Sequence, residues 1–478
     1  MLASAHAQID DSVRGPASEA NHFIATPEGW EHPVTPWGEP DIRATLDMMQ
    51  ASRVPLERCA DRYSVRRLPT FLFGDEPGTA AGSPARACDP DQAWLTEEEY
   101  RRRLEDWRRS GDASRQALAE GDFGGAIRAG ATDPHIPQRQ TSLIVDPPSG
   151  RLPALTPEGK RRALSMRSSW ALPGENHTYD GVQDFDTWDR CITRGMPSSM
   201  MPYRYNGGLR IMQAPGYVIL QLEMIHEARI IPTDGRPPLA PEIRQWLGES
   251  RGRWEGNTLV VETTHYKEGP PMINLAVVGS PPGNRFPYSE QMKTTERIVR
   301  LNDDWWLYEI TTEDPVVLTA PFTVRYPMRN VPDYLMPEYA CHEDNTIVRN
   351  YVETNRYARA HPAAIPEEAV VVSPEVAAAL EGRWVGRPRI ATLDLDIEIE
   401  FERRADDTIV GRLVGTTLGR IDEPLTSVSI EGRALRFTLP NWQPWDFAGE
   451  ITRDETIVGV LSSVQGGVPV TFSRASRR

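Results

Sequence analysis

The sequence predicts a mainly β protein: a large antiparallel barrel or curved sheet with a Pro-rich N-terminal arm, followed by a small C-terminal β-barrel. Three observations carry this expectation. From about 205 to 330, strand-like runs of period two follow one another with turn residues between them and almost no helical pattern. Beyond 380, eight further short runs recur at near-regular spacing. The 42 prolines exceed the usual share of about 5%. With 13 tryptophans and 14 tyrosines, they argue for long extended connections, not for disorder.

The chain opens MLASAHAQIDD, and the small-x-small triplet Ala5-His6-Ala7 is what a signal peptidase accepts. Residues 1 to 7 are therefore expected to be the remnant of an export signal. No run of 18 apolar residues follows, so no transmembrane segment is expected, and the mature chain is placed in the periplasm or outside the cell. A length of 478 residues is too much for one ordinary core and predicts two or three domains. Lys+Arg 53 against Asp+Glu 68 gives a net charge of -15, which repels phosphate-rich partners and excludes nucleic acid.

Residues 8 to 150 read as an arm laid over another domain, because TPWGEPDI, VPLERC and LPTFLFGDEPG are punctuated by proline and glycine. One helix stands out there, from the cap-like Thr96 through TEEEYRRRLEDWRRSG, with acids in its first turn and Gly111 as its stop. Residues 151 to 360 read as the central antiparallel β domain. Its runs are LRIMQ, YVILQLEMIHEARII, GRWEGNTLVVETTHY, QMKTTERIVRL, WWLYEITTED and PFTVRYP, with turns at Glu255-Gly256-Asn257 and Asn302-Asp303-Asp304. Within it PEIRQWLG and residues 346 to 360 have helical patterns. Residues 361 to 374 form a proline-rich linker, and 375 to 478 the second barrel. In that barrel Leu393, Leu395, Ile397, Ile399 and Phe401 alternate with acidic residues, giving one buried and one wet face.

The four cysteines, Cys59, Cys88, Cys191 and Cys341, include no C-x-x-C pair. In an oxidising compartment they read as two disulfides. Of three pairings the nearest-neighbour one, Cys59 with Cys88 and Cys191 with Cys341, is expected. It makes Cys341 a staple, in preference to a catalytic thiol.

The motifs TPWGEPDI, SLIVDPPSGRLPALTPEG, RCITRGMP, EMIHEARIIPTDGRP, WLGESRGRWEGNTLVVETT, TTERIVR, YEITTEDP and EYACHEDN, spread over residues 35 to 355, resemble those of a family of exported bacterial proteins without a characterised activity. That family has Asn-Phe after the VETT strand and Gly-Asn after Cys-His-Glu, where this chain has His265-Tyr266 and Asp344-Asn345. The C-terminal hundred residues are similar to lipocalin-like modules appended to exported hydrolases. Neither resemblance implies a reaction.

The chemistry must come from individual side chains. Gly248-Glu249-Ser250-Arg251-Gly252 fits G-x-S-x-G, but a nucleophile elbow needs a strand before the serine and a helix after it, and here that order is reversed. Ser250 reads instead as a turn serine. In one unbroken strand His226 shares a face with Val218, Leu220, Leu222 and Met224, while Arg229 lies on the other. There His226 is either a general base or a core histidine. Glu309, on a face with Trp305 and Leu307, is the expected buried carboxylate; it is either a general acid of raised pKa or the partner of Arg229, Arg297 or Arg325 in a register-setting pair. A bridge at Cys341 holds His342 and Glu343 beside it, where they line a site or lie idle. His226, His342, Glu309 and Glu343 are also a conceivable zinc set, without a spacing motif to support it.

The expected function is a cofactor-free acid-base enzyme, a lyase or hydrolase, acting on a small apolar or aromatic molecule in the central domain. His226 is its base and Glu309 its acid, with Arg229, His342 and Glu343 about them. The alternative is a non-catalytic, calycin-like small-molecule-binding or envelope protein.

Overall fold

A computed structural model describes residues 26–52, 54–58, 89, 91–120, 137–167, 169, 178–203, 206–269, 286–343, 345–360, 367–390, 393–406, 408–417, 419–440, 445–454, 456–463 and 466–475. Cys59 and Cys88, with the disulfide expected between them, and residues 1–7, expected to be an export-signal remnant, lie outside the described residues, as does 361–366 of the expected linker.

The protein is mainly β, with two nearly closed antiparallel sheets. The first holds β1 (Ala44–Asp47), β2 (Ile144–Asp146), β3 (Gly208–Ala214), β4 (Tyr217–Leu222), β5 (Ala228–Pro232), β6 (Glu249–Glu255), β7 (Thr258–Thr264), β8 (Lys293–Arg300), β9 (Trp305–Glu313) and β10 (Phe322–Asn330). Their order is β5-β4-β3-β1-β10-β9-β8-β7-β6, with β2 on β10. The expected hairpin turns hold: Glu255 pairs with Thr258 across Gly256-Asn257, and 301–304 join β8 to β9. The end strands β5 and β6 come together without a backbone ladder. A Cβ at Gly252 of β6 would lie 2.9 Å from Thr233 Cγ2 and 3.0 Å from Ile231 Cγ2, so glycine is what lets this edge approach.

Three expectations need correction here. The N-terminal arm is not merely laid over the barrel, because its ATLD segment is β1, inserted between β3 and β10. Four residues are too few to show a period, so the strand left no pattern to read. The helix does not stop at Gly111 but runs Glu97–Ala119. An interior glycine costs a helix only about 1 kcal/mol, which good helix formers beyond it offset. PEIRQWLG forms turns and an isolated bridge from Gln245 to Tyr266 instead of a helix. Helix 346–360 is present as Thr346–Ala360.

The second sheet holds β11 (Val370–Val371), β12 (Gly382–Gly386), β15 (Ile397–Arg403), β16 (Thr408–Thr416), β17 (Gly419–Pro424), β18 (Thr426–Glu431), β19 (Ala434–Leu439), β20 (Trp445–Ile451), β21 (Ile457–Ser463) and β22 (Gly466–Arg474). The short β13 (Arg389–Ile390) and β14 (Leu393–Asp394) pair with each other. All eight sequence runs are strands. Phe437 stacks on Phe447 at 4.7 Å, and Phe401 and Phe472 meet these rings edge-on, so aromatic side chains fill the interior. Among the described residues no helix is long and apolar enough to cross a membrane.

Candidate functional site

The segment YVILQLEMIHEARII is a hairpin, not one strand. β4 ends at Leu222, a single turn of 3-10 helix covers Met224–His226, and β5 begins at Ala228. Ile225 and His226 take φ of 61° and 45°, a region that side-chain-bearing residues rarely enter. The buried Glu223 organises this turn from below. It accepts hydrogen bonds from Gly208 N at 3.0 Å, Asn206 Nδ2 at 2.8 Å and Tyr334 Oη at 2.8 Å, while its own carbonyl accepts from His226 N at 2.9 Å. Burial and the Glu223 carboxylate push the Tyr334 hydroxyl well above its ordinary range.

The turn reverses the expected parity. His226 is exposed, and Arg229, paired opposite Leu220 on the inward face of β4, is buried. His226 Nδ1 lies 2.8 Å from Tyr339 O. A carbonyl only accepts, so Nδ1 is the donor, and in the neutral form of the ring Nε2 carries the lone pair. The His342 ring stands 6.2 Å away, centroid to centroid, at 67°. His342 and the adjacent Glu343 are also exposed.

A disulfide braces this pair: Cys191 and Cys341 are bonded, with a Cα separation of 5.9 Å. The Cys341 staple expected from the sequence is therefore present. Asn345 Nδ2 donates to Asp189 O at 2.9 Å and to Cys191 Sγ at 3.4 Å, fixing the far side of the bridge. The motifs RCITRGMP, EMIHEARII and EYACHEDN thus meet in one place. Exposed Ile192 is next to Cys191 in the chain, exposed Tyr334 is hydrogen-bonded to Glu223, and Leu335 follows it.

Beside His226 in sequence, the Glu227 carboxylate turns inward and accepts from Ser199 Oγ at 2.7 Å. Burial raises its pKa, against the lowering influence of Thr193, Ser199, Arg194 and Arg229. Arg194, 1% exposed, has its guanidinium carbon 3.2 Å from the centroid of Tyr203 and 5.5 Å from that of Trp188. Sequence reasoning missed Glu227 and Arg194, since only the fold shows that they point inward.

Arg229 lies inside the barrel. Its Nη1 and Nη2 donate to Glu296 Oε1 and Oε2 at 2.9 and 2.5 Å, and Nη2 also reaches Ser250 Oγ at 3.0 Å and Thr263 Oγ1 at 3.2 Å. Tyr308 Oη donates to Glu296 Oε1 at 2.7 Å. One side chain from β5 therefore engages β6, β7 and β8 across the edge that lacks a backbone ladder. Ser250 is a buried strand residue in this network, neither an elbow nor a turn serine.

Glu309 takes the second of its two expected roles, a cross-strand pair with Arg325, but it is not the buried carboxylate expected. It does share a face with Trp305 and Leu307, but that face is the outer one, where Trp305 packs with Leu301, Val299 and Leu307 in a small separate cluster. The inward residues of β9 are Trp306, Tyr308 and Ile310. Glu309 is half-buried and accepts from Arg325 Nε at 2.7 Å, opposite it on β10. The carboxylate buried inside this barrel against Arg229 is Glu296, at 0% exposure. His226 and Glu309 have no common partner among the described residues, so the expected base and acid are not brought together. No group of three or more His, Cys, Asp and Glu side chains is arranged to hold a metal ion among the described residues, which removes the geometric basis for the four-ligand zinc set.

No family model and no curated protein matches this chain. Among solved structures, a protein of unknown function from the DUF3598 family of Nostoc punctiforme is similar at 10% identity, over 55% of this chain and 85% of that one, with a TM-score of 0.14. An endo-1,5-alpha-L-arabinanase from Thermotoga petrophila is similar at 9% identity, over 56% and 66%, with a TM-score of 0.13. At these TM-scores neither carries an argument about chemistry.

Proposed function

We propose that the protein is an exported acid-base enzyme, a lyase or hydrolase, working at the disulfide-braced junction with His226 as base and His342 as acid. The observation that carries this reading is the Nδ1 hydrogen bond of His226 to Tyr339 O, which makes Nε2 the proton-accepting nitrogen of the neutral ring, in an exposed side chain beside a second imidazole. Imidazole is the side chain whose ordinary titration falls between pH 5 and 8, so two of them supply one proton acceptor and one donor near neutrality. Exposed Ile192, Tyr334 and Leu335 favour a small apolar or aromatic substrate. The carrier alternative needs room inside the barrel, where Trp306, Tyr308, Tyr326 and the Arg229–Glu296 pair are packed.

The test is turnover of a panel of small aryl esters, aryl amides and β-elimination substrates by the wild type, H226Q and H342Q. Each substitution should lower the rate by about 10² to 10⁴-fold, and the wild type should show a bell-shaped pH profile. Because both rings are exposed, melting temperatures should hardly change. Turnover that survives in both variants, or no turnover of any substrate by the wild type, refutes the assignment.

A further inference from the structure

A second site lies on the outer wall of the barrel, apart from the imidazole pair. Where the N-terminal arm crosses β9 and β10 there is a groove of about 400 Å³, walled by Arg58, Trp94, Asp146, Glu309, Thr323 and Arg325. That volume lies at the low end of the range for small-molecule sites. We infer that this groove binds a neutral saccharide of one or two rings, with Trp94 against the carbon face of the sugar and the paired ionic groups on its hydroxyls.

The charges carry the ligand class. The walls hold two guanidiniums and two carboxylates, so the groove has no net charge to reward an anion or a cation. What it offers is a dense array of fixed donors and acceptors. Hydroxyl groups, which both donate and accept, match such an array better than any ion does. Glu309 and Arg325 already hold each other through Arg325 Nε to Glu309 Oε2, 2.7 Å, so neither needs a counter-charge from a ligand. An indole gives the apolar body that a sugar ring's C–H face requires.

The groove is also built in place. Leu95 N donates to Arg139 O at 2.8 Å and Thr141 N to Ala93 O at 3.1 Å, pinning both sides of Trp94 to the strand-like 139–141 segment. Gln140 Nε2 donates to Arg325 O at 3.0 Å, tying that segment to β10. Arg58 Nη1 donates to Pro148 O at 2.8 Å. At Gly150, φ +64°, a Cβ would stand 2.9 Å from Arg58 Nη2 and 2.6 Å from Ser142 Oγ, so a glycine leaves these two groups their places. A wall that is already ordered loses little entropy on binding.

The experiment titrates the full-length protein with glucose, galactose, xylose, maltose and cellobiose, and with glucuronate and glucosamine as charged counterparts. Binding is followed by calorimetry and by the Trp94 indole N–H resonance, assigned with W94F. At least one neutral sugar should bind with a Kd in or below the millimolar range, move that resonance, and weaken about tenfold or more in W94A. If W94A fails to fold, movement of the indole resonance in the wild type decides. No binding of any neutral sugar at about 50 mM overturns the inference, as does binding that leaves the resonance still. Tighter binding of glucuronate or glucosamine than of glucose overturns the neutral-ligand assignment. The readout is binding, so it succeeds or fails independently of turnover at the histidines.

Discussion

Glu296→Gln keeps the size of the side chain and removes its charge, so it isolates the ion pair that spans the unladdered edge of the central barrel. In the wild type the Arg229 side chain is 2% exposed and that of Glu296 0%, leaving solvent no access to either charge. In E296Q the guanidinium keeps the Ser250 and Thr263 hydroxyls but loses its anion. Stranding one member of a buried pair costs about 3 to 5 kcal/mol. At about 2 to 4 °C per kcal/mol for a domain of 150 to 250 residues, the melting temperature should fall by roughly 6 to 20 °C, read by calorimetry or circular dichroism. The double variant R229M/E296L removes both charges and fills the space with apolar atoms. It should lose less than either single change, the main remaining cost being the unpaired Tyr308 hydroxyl at about 1 to 3 kcal/mol. An E296Q protein melting within about 3 °C of the wild type, or single effects that simply add in the double variant, would refute the idea that this pair closes the barrel.

Two further outcomes follow from the junction. Because burial raises the Glu227 carboxyl, the folded chain keeps this proton at a pH where the unfolded chain has released it. The resulting stability is complete below the ordinary carboxylate range and is lost as pH rises through the folded value. E227Q titrates in neither state, so its melting temperature relative to the wild type should rise from about pH 4 to about pH 7; a flat or falling difference contradicts the burial argument. Second, non-reducing peptide mapping of protein recovered from a periplasm should give a linked peptide pair containing Cys191 and Cys341, and alkylated Cys341 in that material would overturn the staple.

Where strands alternate over six or more residues, the sequence was sufficient. Ile397, Ile399 and Phe401 are buried as expected, and the eight C-terminal runs are all strands. Alternation does not tell which face is inward when both carry large apolar groups. WWLYEITTE sets Trp305 and Leu307 on one face and Trp306, Tyr308 and Ile310 on the other, and only the neighbouring strands decide between them. The choice misplaced Glu309 while leaving its companions correct. β1 was illegible for a different reason: its place in the sheet comes from partners more than 150 residues away, at Leu209 and Asn330.

The misreading of His226 and Arg229 has a single origin. Turns usually announce themselves by glycine, asparagine or aspartate, which enter positive φ at low cost. EMIHEA contains none of these, and its two positive-φ positions are an isoleucine and a histidine. Such conformations cost about 1 to 3 kcal/mol each and persist only when their surroundings over-determine them. Glu223 supplies that determination by gathering Gly208, Asn206 and Tyr334 beneath the turn, and Tyr339 O adds the bond to the imidazole. Ile225 is itself buried, against Tyr203 and Met224, and burying its side chain contributes about 1.5 to 3 kcal/mol, enough to offset the strain of its backbone. Only Glu227 and Ala228 separate an exposed imidazole beside His342 from a guanidinium held inward against Glu296, and the strained turn is what sets the two on opposite sides of the sheet. An unbroken strand would have given each the other's place, with a bare imidazole in the core and an arginine in solvent. The strained turn therefore decides which of the two side chains meets solvent and which meets the core.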